Sequence, residues 1–212
     1  MVVTNWLSGN YIEVFGALAG IIYVFLEIRQ NIWLWPVGII TSGVYIWVFF
    51  HGKLYADMSL QVYYLVISVL GWYWWLKGAV GDLSEAKIPQ QGKEEKKELQ
   101  VTRLKLRTGI ILAIVFVFLY AVMWFILSNL TDSPVPAWDS FLTSLSIVAT
   151  WMLARKIYEH WLLWIVVNFV AGVLFFTRGL YPTVILYMVY GIMSFVGLAA
   201  WKATIRDDIR SL

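Results

Sequence analysis

Trp161, Trp164 and Asn168 are spaced three and four residues apart, the interval that brings helical side chains onto one face. Gln61, Tyr64, Ser68 and Trp72 repeat that spacing in a second stretch, Tyr187, Tyr190 and Ser194 form a third set, and Thr41, Ser42 and Tyr45 a fourth. Amides and hydroxyls set among aromatic faces suit one task well. They hold a planar ring by stacking and its polar substituents by hydrogen bonds. Such faces also attract a ring-borne cation, worth about 0.5–2 kcal/mol per contact. Bond-breaking chemistry has no comparable basis. The sequence has no HExxH, GxSxG, Walker A or GxGxxG motif, and it has no cysteine, which removes thiol chemistry, disulfides and cysteine-ligated metals. His51 and His160 fall near the ends of different apolar segments and suggest loop or interface positions, not a metal or catalytic cluster. Neither an enzyme nor a cofactor is expected.

The elements that must position these residues are apolar to an unusual degree. Of 212 residues, 61% are hydrophobic and 14% charged, and the mean hydropathy is +0.74; soluble domains carry about 25% charged residues. A helix crossing the hydrocarbon core needs roughly 20 mostly apolar residues. Seven runs qualify: Tyr11 to Ile28, Ile32 to Phe50, Tyr55 to Leu76, Thr108 to Ser128, Trp138 to Ala154, Glu159 to Phe176, and Tyr181 to Trp201. None shows the polar/apolar alternation of a transmembrane strand. The expected class is therefore an all-α polytopic membrane protein. Residues 77–107 form a charged linker, with a surface helix a possibility at its end. Trp6, Trp33, Trp138, Tyr73, Trp74, Trp75 and Trp201 lie near helix ends and suggest interfacial anchors.

Lys and Arg set the orientation. With the N-terminus outside, the inner segments hold Arg29, the eight cations between Lys77 and Arg107, Arg155, Lys156, Lys202, Arg206 and Arg210, leaving only Lys53 and Arg178 outside. The C-terminus is then cytoplasmic. Glu13, Glu27, Asp57, Asp139 and Glu159 all stand near helix ends. Proton relays normally use intramembrane acids or histidines, so proton coupling is disfavoured. The lack of a mid-helix Lys or Arg disfavours a phosphorylated solute.

Sliding the chain by 126 positions, Trp35 against Trp161, aligns its two ends without a gap. Leu54-Tyr55, Leu60, Tyr64, Ser68, Gly71 and Trp75 meet Leu180-Tyr181, Leu186, Tyr190, Ser194, Gly197 and Trp201, and Arg29 meets Arg155. Two three-helix repeats result, at 11–76 and 138–202. The helix at 108–128 recrosses the membrane between them, so both repeats insert in the same sense. This is a parallel-repeat transporter plan, with a site expected at mid-membrane between the halves. The polar positions are not symmetric: Ser42 corresponds to Asn168, and Gln61 to Tyr187. Such a pocket suits an asymmetric solute better than a spherical ion.

The segments Trp35-Pro36-x-Gly38-Ile39, Tyr55-Ala56-Asp57-x-x-Leu60-Gln61-x-x-Tyr64, Gly71-Trp72-Tyr73-x-Trp75 and Leu180-Tyr181-x-Thr183 through Leu186-Tyr187-x-x-Tyr190 and Ser194-x-x-Gly197 together resemble the PnuC-type nicotinamide riboside transporters, over nearly the whole chain. The resemblance implies a three-plus-one-plus-three helix plan related to sugar-facilitating SWEET proteins, and a homotrimer in the bacterial inner membrane. It also implies uptake of nicotinamide riboside by facilitated diffusion, trapped by a cytoplasmic kinase. The expected substrate-binding residues are Trp35, Ser42, Gln61, Tyr64, Trp161, Trp164, Asn168, Tyr187 and Tyr190. Asn168 and Gln61 would hydrogen-bond ribose hydroxyls or the carboxamide. Trp164 and the three tyrosines would contact the pyridinium ring, and Trp35 and Trp161 would close the pocket ends. Riboflavin or thiamine as solute, and a non-transporting sensor or assembly subunit, remain alternatives at this level.

Overall fold

The computed structural model describes residues 11–51, 55–78, 99–131 and 133–210, with side chains described for all of these except 11–13, 55–57 and 207–210. Most of the charged linker, together with Lys53 and Trp6, lies outside the described residues. The described residues form seven helices: α1 (Tyr11–Ile28), α2 (Leu34–His51), α3 (Tyr55–Lys77), α4 (Leu106–Leu130), α5 (Pro136–Ala154), α6 (His160–Thr177) and α7 (Tyr181–Arg210). No strand occurs among the described residues. α7 continues well past Trp201, where the sequence pattern placed its end.

The breaks after α1 and α5 repeat each other atom for atom. Gln30 and Lys156, 126 positions apart, are the two non-glycine residues with positive φ among the described residues, at 52° and 51°. Asn31 N–H donates to Leu26 O (2.9 Å), and Ile157 N–H to Met152 O (3.0 Å). Each is the closing bond of a left-handed helix terminus. Leu34 N–H donates to Asn31 O and His160 N–H to Ile157 O as each next helix starts. The sequence repeat is thus a repeat of backbone geometry.

The packing partners close a ring. α1 packs on α2 and α7, α2 on α3, α3 on α5, α5 on α6, and α6 on α7. Exchanging the two repeats maps every one of these contacts onto another: α1–α2 onto α5–α6, α2–α3 onto α6–α7, and α1–α7 onto α5–α3. α4 packs on α5 outside the ring and has no buried residue. Counting only residues whose side chains are described, four helices, α2, α4, α6 and α7, are long and apolar enough on their own to span a membrane. Part of the reason that α5 falls short is that its polar residues face inward: Ser140, Ser144, Ser146 and Thr150 are all buried.

Residues 99–105 are not a surface helix. They run extended, and Thr102 exchanges backbone hydrogen bonds with the α5–α6 break (Thr102 N–H to Lys156 O, 2.9 Å; Tyr158 N–H to Thr102 O, 3.1 Å). The Glu159 carboxylate accepts the Leu104 N–H at 2.9 Å. Val101 is buried in the core. β-branched residues and an available backbone ladder outweigh helix propensity here.

Candidate functional site

The ring encloses a cavity of about 520 Å³, within the roughly 300–1,000 Å³ of small-molecule sites. All six ring helices line it, and α4 does not. Along α1 its wall runs from Gly16 to Glu27, about 16 Å of helix at 1.5 Å per residue. Burial shows which end is shut. On α2 the buried residues lie between Leu34 and Ser42, and on α6 between His160 and Ala171, with none in the last turn of either. On α7 they begin at Ser194. The cavity is closed at the end carrying Arg29 and Arg155.

Eight of the nine residues singled out from the sequence line this cavity: Ser42, Gln61, Tyr64, Trp161, Trp164, Asn168, Tyr187 and Tyr190. Trp35 does not. It is fully buried beneath the floor, edge-on to Trp75 with ring centroids 5.4 Å apart, and it occupies the space left by Gly71. Trp161 packs on Gly197 and against Trp201 in the same way, yet it also borders the cavity. Trp75 and Trp201 are core residues, not interfacial anchors, with 6% and 0% exposure. Trp75 Nε1–H donates to Ala154 O (3.3 Å) and Trp201 Nε1–H to Glu27 O (3.0 Å). Each indole thereby ties the last helix of one repeat to the first helix of the other. Trp33 and Trp138 are exposed, as anchors should be.

The polar groups are held in place. Asn168 Nδ2 donates to Ser194 Oγ (3.1 Å), which donates to Tyr190 O (2.8 Å). Tyr64 shares a hydrogen bond with Ser146 across the α3–α5 contact. Tyr187 stacks on Phe175 at 5.2 Å and meets Tyr190 edge-on at 6.0 Å. The Nε1 atoms of Trp161 and Trp164 are buried with no protein partner. Trp35 Nε1, beneath the floor and off the cavity, is unpaired in the same way, so the two indoles on the wall are donors available to an occupant with acceptor oxygens but do not require one.

Sequence reasoning missed the contributions of α1 and α5. Gly16 and Gly20 give Tyr45 and Tyr190 room to lay their hydroxyls against α1, where any Cβ would collide with them. Tyr23, Ser146 and Thr150 also face the cavity. The Gly16-x-x-x-Gly20 spacing was a usable signal for such close approach. Glu27 and His160 are the larger surprise. Read as helix-end and loop or interface residues, they are 2% and 0% exposed and meet at 2.9 Å. Among the described residues, no Lys or Arg is on the cavity wall.

The profile of the family described as nicotinamide mononucleotide transporter matches residues 10–203. The chain belongs to that family. Among its relatives is the nicotinamide riboside transporter PnuC of Escherichia coli K12, 28% identical, with 93% of this chain and 87% of the relative covered. The riboflavin/roseoflavin transporter RibM of Streptomyces davaonensis is 26% identical, with 97% and 96% covered. A crystal structure of the vitamin B3 transporter PnuC has the same fold at a TM-score of 0.71 and 23% identity, covering 97% of this chain and 86% of that one. Family membership makes this a multi-pass membrane transporter.

Proposed function

We propose that this protein moves nicotinamide riboside across the bacterial inner membrane by facilitated diffusion, without a coupling ion, and that phosphorylation by a cytoplasmic kinase retains the solute. The observation that carries the reading is the cavity wall: tyrosines and tryptophans beside Gln61 and Asn168, two unpartnered indole donors, and no cation. A planar pyridinium ring with a carboxamide and ribose hydroxyls matches that set. A phosphate dianion would find no Lys or Arg, so the riboside fits this wall better than the mononucleotide in the family's description. Asn168 and Gln61 take the polar substituents, Trp164, Tyr64, Tyr187 and Tyr190 contact the ring, and Trp161 closes the floor.

The N-terminus is assigned to the periplasm and the C-terminus to the cytoplasm, which makes the shut end of the cavity cytoplasmic. A homotrimer is assigned as well, and an α4 apolar on all sides and unburied in one chain supports contact with lipid or a neighbouring copy. Riboflavin is the second reading, favoured by a relative matched nearly end to end. Calorimetry on the purified protein decides between them, using nicotinamide riboside, its phosphorylated form, riboflavin and thiamine. Selective heat from the riboside is expected. Selective binding of riboflavin would replace the solute, and binding of none by folded protein would overturn the transport assignment of this cavity.

A further inference from the structure

The two repeats differ at one buried pair on the shut floor of the cavity. His160 Nδ1 lies 2.7 Å from Ile157 O, and its Nε2 lies 2.9 Å from Glu27 Oε1. A carbonyl only accepts, so Nδ1 carries the hydrogen. The contact between Nε2 and the carboxyl then requires one more proton, whether it resides on the ring or on the carboxyl. Without that proton, a lone pair would face a carboxylate in a site from which water is excluded. The geometry is therefore that of a proton-binding site.

The fold does not need it. At the 126-residue offset, Glu27 corresponds to Leu153 and His160 to Leu34. Both leucines are 0% exposed and lie in the same core cluster. One half closes its floor with an apolar pair and the other with an acid and an imidazole, although buried ion pairs are weak stabilisers compared with packed apolar groups. The polar pair also sits where movement must occur. Glu27 is on α1 of the first repeat and lines the cavity, and His160 opens α6 of the second. Trp201 holds the Glu27 carbonyl and packs on the His160 ring at 4.7 Å.

We propose that Glu27 and His160 form a proton-occupied latch between the repeats, so that the shut end of the cavity opens more readily when the proton is lost. The latch rests on the transport reading but not on which solute is carried. Few other charges face it. On α1, Tyr23 is one turn away on the cavity wall and Arg29 is exposed; α7 brings the exposed Lys202 and Arg206. α5 is capped by the exposed Arg155, followed by Lys156, whose Nζ lies 4.3 Å over the Trp75 ring. Tyr158 and Glu159 precede His160, with the Glu159 carboxylate taken by the Leu104 N–H. α2 presents Leu34 and Trp35 at this level, and no titratable group.

The sequence has no cysteine, so a single one reports alone. Val24→Cys, on the cavity wall next to the latch, is to be labelled in proteoliposomes by an impermeant maleimide applied from the shut side. The pH is equal on both faces, at about 6 and then about 8, a hundredfold change in proton concentration. The same cysteine in a Glu27→Leu/His160→Leu background, which copies the leucine pair, supplies the thiol's own pH dependence. The parent-to-background labelling ratio should rise about threefold or more at the higher pH. Glu27→Gln, whose amide can donate to Nε2 or accept from it and so pairs with the ring in either protonation state, should stay at the low ratio, and it serves as the baseline if the double variant does not fold. A pH-independent ratio overturns the latch, as does a pH response that survives in Glu27→Gln. Uptake of nicotinamide riboside is followed in the same vesicles. A latch response without uptake of nicotinamide riboside would overturn the proposed solute and leave the latch standing.

Discussion

Asn168 has its amide fixed by Ser194 while lining the cavity, and it replaces a serine in the equivalent position of the first repeat. Replacing it with alanine should weaken solute binding by about tenfold, the cost of one hydrogen bond to a buried group. Folded yield should be retained, because Ser194 keeps its bond to Tyr190 O. Calorimetry and size-exclusion profiles of the variant check both halves of that statement; unchanged affinity would place the solute elsewhere. The residues on α3, α6 and α7 were legible in the sequence because their spacing and depth mark one inward face. Glu27 and His160 were not, since position along a helix does not reveal that two helix ends from different repeats converge in a dry layer. Trp35 and Trp161 looked interchangeable for a related reason. Their surroundings are alike in backbone and differ only in which neighbours reach the cavity.

At the scale of elements, the glycines decide how closely helices approach. A Cβ at Gly71 or Gly197 would enter the Trp35 or Trp161 ring, and both rings are enclosed with 0% and 1% exposure. Gly71→Ala and Gly197→Ala should each destabilise the protein by about 1–3 kcal/mol, as overpacked cores do. Gly43→Ala is the contrast, because no atom lies within 4 Å of its added Cβ. A mid-helix glycine there costs about 1 kcal/mol relative to alanine, so this variant should be neutral or more stable. Thermal unfolding in detergent would rank the three; equal behaviour of Gly43→Ala and Gly197→Ala would mean that the tryptophan contacts do not limit stability. The matched pairs of tryptophan and glycine were visible in the sequence as repeat identities. The sequence did not show that they form the seam that seals the cavity.

For the whole molecule, the ring of six helices is pseudo-symmetric in its contacts and asymmetric in its closure. On α2, α6 and α7 the buried residues gather at the end bearing Arg29 and Arg155, while among the described residues the end bearing Arg178 is open. On the proposed orientation, with the first end cytoplasmic, this structure is that of a cavity facing outward. Labelling single cysteines with an impermeant reagent from the outside tests orientation and closure together. Arg178→Cys, on an exposed turn, and Tyr45→Cys, on the cavity wall toward the open end, should both react. Arg29→Cys, equally exposed but at the shut end, should not. Solute should protect Tyr45→Cys and leave Arg178→Cys unaffected, because only the first lines the cavity. Reaction at Arg29→Cys alone would invert the topology and make the same cavity face the cytoplasm. Reaction of Arg178→Cys with Tyr45→Cys silent would mean that the membrane-embedded protein rests with its outer end closed, which the same ring permits by exchanging the roles of its two ends.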